Sequence, residues 1–289
     1  MILGKNLVSK YDANWTLERF AWLIKNFSPT YGPLRASLCC IEGGMMEVEH
    51  YPIAAYPEAW AKACFESIKY RAGMGRWPIE FVGLEKDRPR RASDKELPAF
   101  GQRQPSLERY YTDAYGRPVI YYEPSRITEP GYITARAARS LAALIHLSAS
   151  APEQLQQDNP ETINTVTAAF LGLGLPLAYS EEARKSREEG VVIDAFHRIP
   201  GAHAIFASAV FLSLKGCDGA RAERLYSGLI DDLDLERLQE AFAQLRHFNN
   251  DITRLRAQIM GAEQDLFATP DESGLTAGDI DNIPLSVKL

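Results

Sequence analysis

The chain lacks the short patterns that would announce a chemistry. No G-x-G-x-x-G, phosphate loop, G-x-S-x-G elbow or EF-hand loop occurs in its 289 residues, and no internal repeat is present. Glycine-rich nucleotide cradles, a strained serine turn and an acidic calcium loop are thereby excluded as starting points. Cysteine is scarce: Cys39, Cys40, Cys64 and Cys217 show no C-x-x-C spacing. Adjacent Cys39 and Cys40 make a poor disulfide, so the thiols read as reduced and buried, and the expected location is cytoplasmic. Long apolar runs are missing too. Residues 166–179 and 202–214 fall short of the roughly 20 residues a bilayer requires, so both read as core helices and no membrane partner is expected. Met1-Ile2-Leu3-Gly4 is too short for the apolar core of a signal peptide, and none is expected. Nor is there an excess of basic residues: 32 Lys and Arg stand against 38 Asp and Glu, a net charge of −6. A dedicated nucleic-acid binder is normally basic, so nucleic acid is not an expected partner.

What is present suits a globular protein. A hydrophobic content of 46% and a charged content of 24% are ordinary, and a chain of this length can bury a substantial core. The longest helical pattern begins at Tyr132. With no Gly or Pro between Gly131 and Pro152, about twenty residues can run as one helix. Ile133, Ala137, Leu141, Leu144, Ile145 and Ser148 fall on one side as a buried stripe. The opposite side carries Arg136, Arg139, Ala143, His146 and Ser150. It is too polar for a core and too small in its middle for a solvated surface, so it is expected to border a cleft. Asn159-Pro160-Glu161 then opens a second helix, with Asn as the cap, Pro at the first helical position and Glu in the first turn. Ile163, Val166, Ala169, Phe170 and Leu173 make this helix strongly apolar before Gly172 and Gly174 loosen it.

These two helices resemble a group of bacterial zincin-like proteins, in which a helix bearing A-H-E-L-A-H is followed by an acidic residue opening a helix that ends in F-G-L-G. Ala138-Arg139-Ser140-Leu141-Ala142-Ala143 stands at the first motif, and Glu161 through Phe170-Leu171-Gly172-Leu173-Gly174 at the second. Gly75-Arg76-Trp77-Pro78 before a strand and the apolar helix after Pro200 extend the resemblance over residues 57–250. It implies an α+β, predominantly helical fold, a zincin-like helical body with a small N-terminal sheet. It also argues against the activity. A zinc site of this type uses two His at i and i+4 with Glu as general base between them. Arg139, Ala143 and Ser140 occupy those positions. A guanidinium has no lone pair to give, and Ala offers nothing. Glu161, in the place of the third ligand, alone keeps a metal-binding side chain.

Elsewhere, Trp15, Phe20, Ile24 and Phe27 give an N-terminal helix its apolar face. Residues 37–41 and 46–53 flank Glu42-Gly43-Gly44 as a β-hairpin, with His50 in its second arm read as structural. A helix over residues 57–70 buries Trp60, Cys64, Phe65 and Ile68, is ended by Gly73 and Gly75, and leads to a strand at 79–82. The basic run at 86–91 reads as a solvated loop; with Arg103 and Arg109 it could instead form a phosphate- or partner-binding patch. Pro118-Val119-Ile120-Tyr121-Tyr122 is the best strand. One of Tyr121 and Tyr122 is expected to reach the cleft and at least one to pack in the core. Leu235, Leu238, Phe242, Leu245, Phe248, Ile252, Leu255 and Ile259 predict a long amphipathic helix, or a helix pair broken near Asn249-Asn250. From Pro270 onward a flexible tail is expected.

The domain reading is an N-terminal helix and hairpin at 1–56, a zincin-like α+β body at 57–268 and a tail at 269–289. The functional expectation is a non-catalytic, metal-free binding or regulatory module for a protein partner or an anionic ligand. Arg139, Arg136, His146, Tyr121 and Glu161 are the candidate ligand-binding residues, since guanidinium grips carboxylate and phosphate bidentately. A homodimer through the helix carrying Leu238 and Ile259 is a further expectation. The alternative is a metal-dependent hydrolase or peptidase with a rearranged zinc site, built from His146, Glu161 and His197 or His203, in which Glu161 and His146 do the catalysis.

Overall fold

The computed structural model describes residues 6–27, 33, 36, 55–84, 91, 93, 95–96, 111–128, 131–148, 160–178, 200–227 and 229–268. The hairpin expected at 37–53 with His50, most of the basic run, Arg103, Arg109, Cys39, Cys40, Ser150, Asn159, His197 and the tail lie outside these residues, as does the side chain of Glu161.

Helix α1 (Lys10–Phe27) starts on a reciprocal cap. The Asp12 N–H donates to Ser9 Oγ at 3.1 Å, and that hydroxyl donates to Asp12 Oδ2 at 2.5 Å. The Asp12 N–H, one of the orphan donors of the first turn, is thereby satisfied, and the second bond fixes its carboxylate. Leu17, Phe20, Leu23 and Ile24 of α1 are buried in the same apolar cluster as the helices that follow, so the N-terminal helix shares the main core.

Helix α2 (Pro57–Arg71) buries Trp60, Cys64, Phe65 and Ile68, the stripe its spacing predicts. It stops at Gly73, whose φ of 78° lies in the left-handed region that favours glycine. The Gly73 and Met74 N–H groups donate back to the carbonyls of Tyr70 and Lys69, closing the last turn.

Among the described residues four short strands form one mixed sheet: β1 (Glu80–Gly83), β2 (Lys95–Glu96), β3 (Tyr111–Thr112) and β4 (Pro118–Tyr122), in the order β1-β4-β3-β2. β1 runs parallel to β4, with Glu80 opposite Val119, whereas β3 pairs antiparallel with both β4 and β2. Every residue of β4 is buried, which a continuous β-branched and aromatic run favours. Successive side chains of a strand point to opposite faces. Tyr122 stacks on Phe81, which stacks on Phe65 of α2, with centroids 4.5 and 4.4 Å apart. Val119 and Tyr121 join Tyr111 in a smaller separate cluster. The sheet is therefore drawn from residues between α2 and the next helix.

The remaining helices are α3 (Tyr132–Ser148), α4 (Pro160–Phe170), α5 (Gly174–Ala178), α6 (Pro200–Leu214), α7 (Gly219–Tyr226), α8 (Asp232–Leu245) and α9 (Asn249–Ala268). α6 is apolar on all sides, and residues such as Ile205, Phe206, Val210 and Leu212 are fully buried. A helix without a polar face is stable only inside other elements. It packs against α1, α4, α5, α8 and α9, which enclose it.

The break expected near Asn249 is present: α8 ends at Leu245, a single 3-10 turn spans Arg246–Phe248, and α9 resumes at Asn249. Leu238, Phe242, Leu245, Phe248, Ile252, Leu255 and Ile259 are all buried within the chain, where these two helices pack on α6 and α1. Helix accounts for 69% of the described residues beside one small mixed sheet, so the class is α+β and predominantly helical. Among the described residues no helix is long and apolar enough to cross a membrane.

Candidate functional site

Helix α3 follows Gly131, whose φ is 74°. Its first turns are tied to the end of the sheet. Tyr132 accepts a hydrogen bond on its phenol oxygen from the Glu123 N–H at 2.8 Å, and the Arg126 guanidinium lies 4.2 Å from the centre of the Tyr132 ring. One turn on, Arg136 Nε donates to the Tyr121 carbonyl at 2.8 Å. Arg136 and Arg139, three residues apart on one helix, are both half-buried and are neighbours on its surface.

Ser140 and Ala143, the other two positions set against the zincin-like motif in the sequence comparison above, are buried. The Ser140 hydroxyl has no hydrogen-bond partner among the described residues. A methyl group has no donor atom, and a neutral serine hydroxyl is not among the usual zinc ligands. Of the candidate ligand residues, Tyr121 contributes its backbone carbonyl, while its ring packs edge-to-face on Tyr111 at 5.5 Å. Tyr122 has a phenol pushed up to about 12, by burial first and then by the charge of Glu58. Both rings sit in apolar clusters.

His146 is only 2% exposed. Its ring stacks on Trp22 of α1, with centroids 5.6 Å apart and planes 7° from parallel. Nε2 lies 2.5 Å from the hydroxyl oxygen of Thr167 on α4. That hydroxyl donates its one proton to the Ile163 carbonyl at 2.9 Å, so the oxygen accepts from the imidazole and the proton is assigned to Nε2. Burial, and after it the positive charge of Arg19, push the imidazole down to about 4. It is neutral at pH 7. The face of α3 expected to border a cleft is thus covered by α1 at His146.

His203 of α6 is also buried, with Nε2 3.8 Å from Asp12 Oδ1. His203 and His146 meet α1 at Asp12 and Trp22, positions on the order of 15 Å apart along the helix axis. They do not share a site. Glu161 lies in the first turn of α4. Among the described residues no group of three His, Cys, Asp or Glu is placed to hold a metal ion, and the donor set on α3 does not fit zinc.

Arg91, the one described member of the basic run, pairs with Glu80 through both guanidinium nitrogens at 2.9 and 2.7 Å. The contacts of α1 to the two histidines were not read from the sequence. Their signal was there, since Asp12, Thr16 and Arg19 recur at helical spacing beside an apolar stripe. Comparison with known proteins gives no match: no family model, no curated protein and no solved structure is similar to this chain.

Proposed function

We propose that this chain is a non-catalytic, metal-free binding or regulatory module of zincin-like descent, whose candidate ligand face is the Arg136–Arg139 side of α3. The observation that carries the reading is the side-chain set on α3. A guanidinium, a hydroxyl and a methyl group stand where two imidazoles and a carboxylate would be required. Two guanidinium groups one turn apart suit a carboxylate or phosphate, on a small ligand or on a protein partner. A cytoplasmic location belongs to the same reading, supported by the buried thiols of Cys64 and Cys217. A homodimer built on α8 and α9 would use the face opposite their buried stripe, where Leu233 and Met260 are exposed.

Two measurements on the purified full chain test this. Elemental analysis is expected to find zinc well below one equivalent; a full equivalent that is lost in His146→Ala would favour the hydrolase alternative. Thermal unfolding with inorganic phosphate or succinate is expected to shift Tm upward in the native protein and not in Arg139→Gln. No shift with either anion would remove the anionic-ligand reading. Sedimentation over a range of concentrations tests the dimer.

A further inference from the structure

We propose that α1 is an acid-sensitive strap: protonation of His146 releases its C-terminal half, residues 19–27, while its N-terminal half stays held between Asp12 and His203. Two buried histidines meet this one helix in opposite electrostatic settings. At the N-terminal end, the Asp12 carboxylate faces His203 from 3.8 Å away and is itself 5% exposed. Ser9 fixes that carboxylate through its hydroxyl. A proton arriving on His203 creates an ion pair in a low-dielectric setting and tightens the contact.

At the other end the signs reverse. His146 is stacked on Trp22 of α1 and bonded to the neutral Thr167 of α4, and the cation whose charge reaches it is Arg19 of α1, held 5.2 Å from the centre of the Trp15 ring. A proton arriving there places an imidazolium inside the protein near a like charge. The helix can relieve this by letting Arg19 and Trp22 move into water, because Trp22 is half-buried already. Phe20, Leu23 and Ile24 hold the same segment by apolar burial, and Phe20 meets Phe170 edge-to-face at 5.9 Å. Those contacts keep the strap closed at neutral pH. Acid raises the population of the open form in proportion to how much more readily the exposed imidazole takes a proton than the buried one.

Hydrogen exchange of the full chain, read by mass spectrometry at pH 7 and pH 5 and corrected for intrinsic exchange, tests the strap. The opening equilibrium of amides in residues 19–27 is expected to rise about 20-fold at pH 5, with those of residues 10–16 changing little. His146→Gln is expected to abolish the rise. Arg19→Gln keeps the imidazole in place and is expected to reduce the rise without removing it, which decides the matter if His146→Gln fails to fold. Equal opening at both pH values would overturn the proposal. So would an undiminished rise in either variant, or opening of residues 10–16 in step with 19–27.

Discussion

Arg136 and Tyr121 are joined by a 2.8 Å hydrogen bond from a guanidinium Nε to a backbone carbonyl, which ties α3 to β4. Arg136→Ala removes a charged donor from a half-buried setting and is expected to cost about 1–3 kcal/mol in urea unfolding. Arg136→Lys is expected to recover little, since an ammonium cannot reproduce the planar Nε–H donor. Arg139→Gln is therefore the cleaner variant for testing ligand binding.

The second prediction concerns close packing. A methyl group on Gly174 at the start of α5 would overlap the Ser208 hydroxyl of α6 and lie 2.7 Å from the Ala169 Cβ. Gly174→Ala is expected to destabilise the protein by about 1–3 kcal/mol through overpacking. Adding Ser208→Ala relieves one of the two clashes, so the double variant is expected to recover part of the loss. A double-mutant cycle in urea measures the coupling.

The pH dependence of stability follows from His146. Its imidazole is held down to about 4 in the folded protein and titrates near 6.5 once unfolded. Between those values the unfolded chain binds the extra proton, so stability falls as pH drops from about 6.5 toward about 4. The full effect is about 3 kcal/mol. Unfolding free energies of native protein and His146→Phe, compared between pH 7 and pH 5, are expected to diverge in slope, with the variant flatter.

Cys64 provides a check on the core. Burial pushes its thiol up to about 12, which leaves almost no thiolate at pH 8. Iodoacetamide at pH 8 is expected to leave Cys64 unmodified in native protein and to label it in urea, read by peptide mass spectrometry. Labelling in the native state would show that α2 does not bury it.

Where one face of an element is apolar, the sequence reading transfers directly to the structure. The stripe of Trp60, Cys64, Phe65 and Ile68 on α2 and the run from Leu238 through Ile259 are buried as their periodicity predicts. β4 is equally legible, because four consecutive strand formers follow Pro118 and leave no other use for it. The polar face of α3 was less so. Arg136, Arg139 and His146 look alike on a helical wheel, yet two are half-buried and His146 is inside. Spacing along one helix reports which residues share a side, and not which element lies across from them.

Local order along the chain was thus determined by the amino-acid sequence alone: where helices start and stop, which stripes are apolar, and that α3 carries Arg139 and Ala143 one turn apart. Only the tertiary structure decided that α1 lies over His146, that the two buried histidines meet opposite ends of that helix, and that α6 is enclosed on all sides. The physical reason is range. Caps, turns and periodicity act over a few residues, whereas Trp22 meets His146 and Asp12 meets His203 only after distant segments share one core.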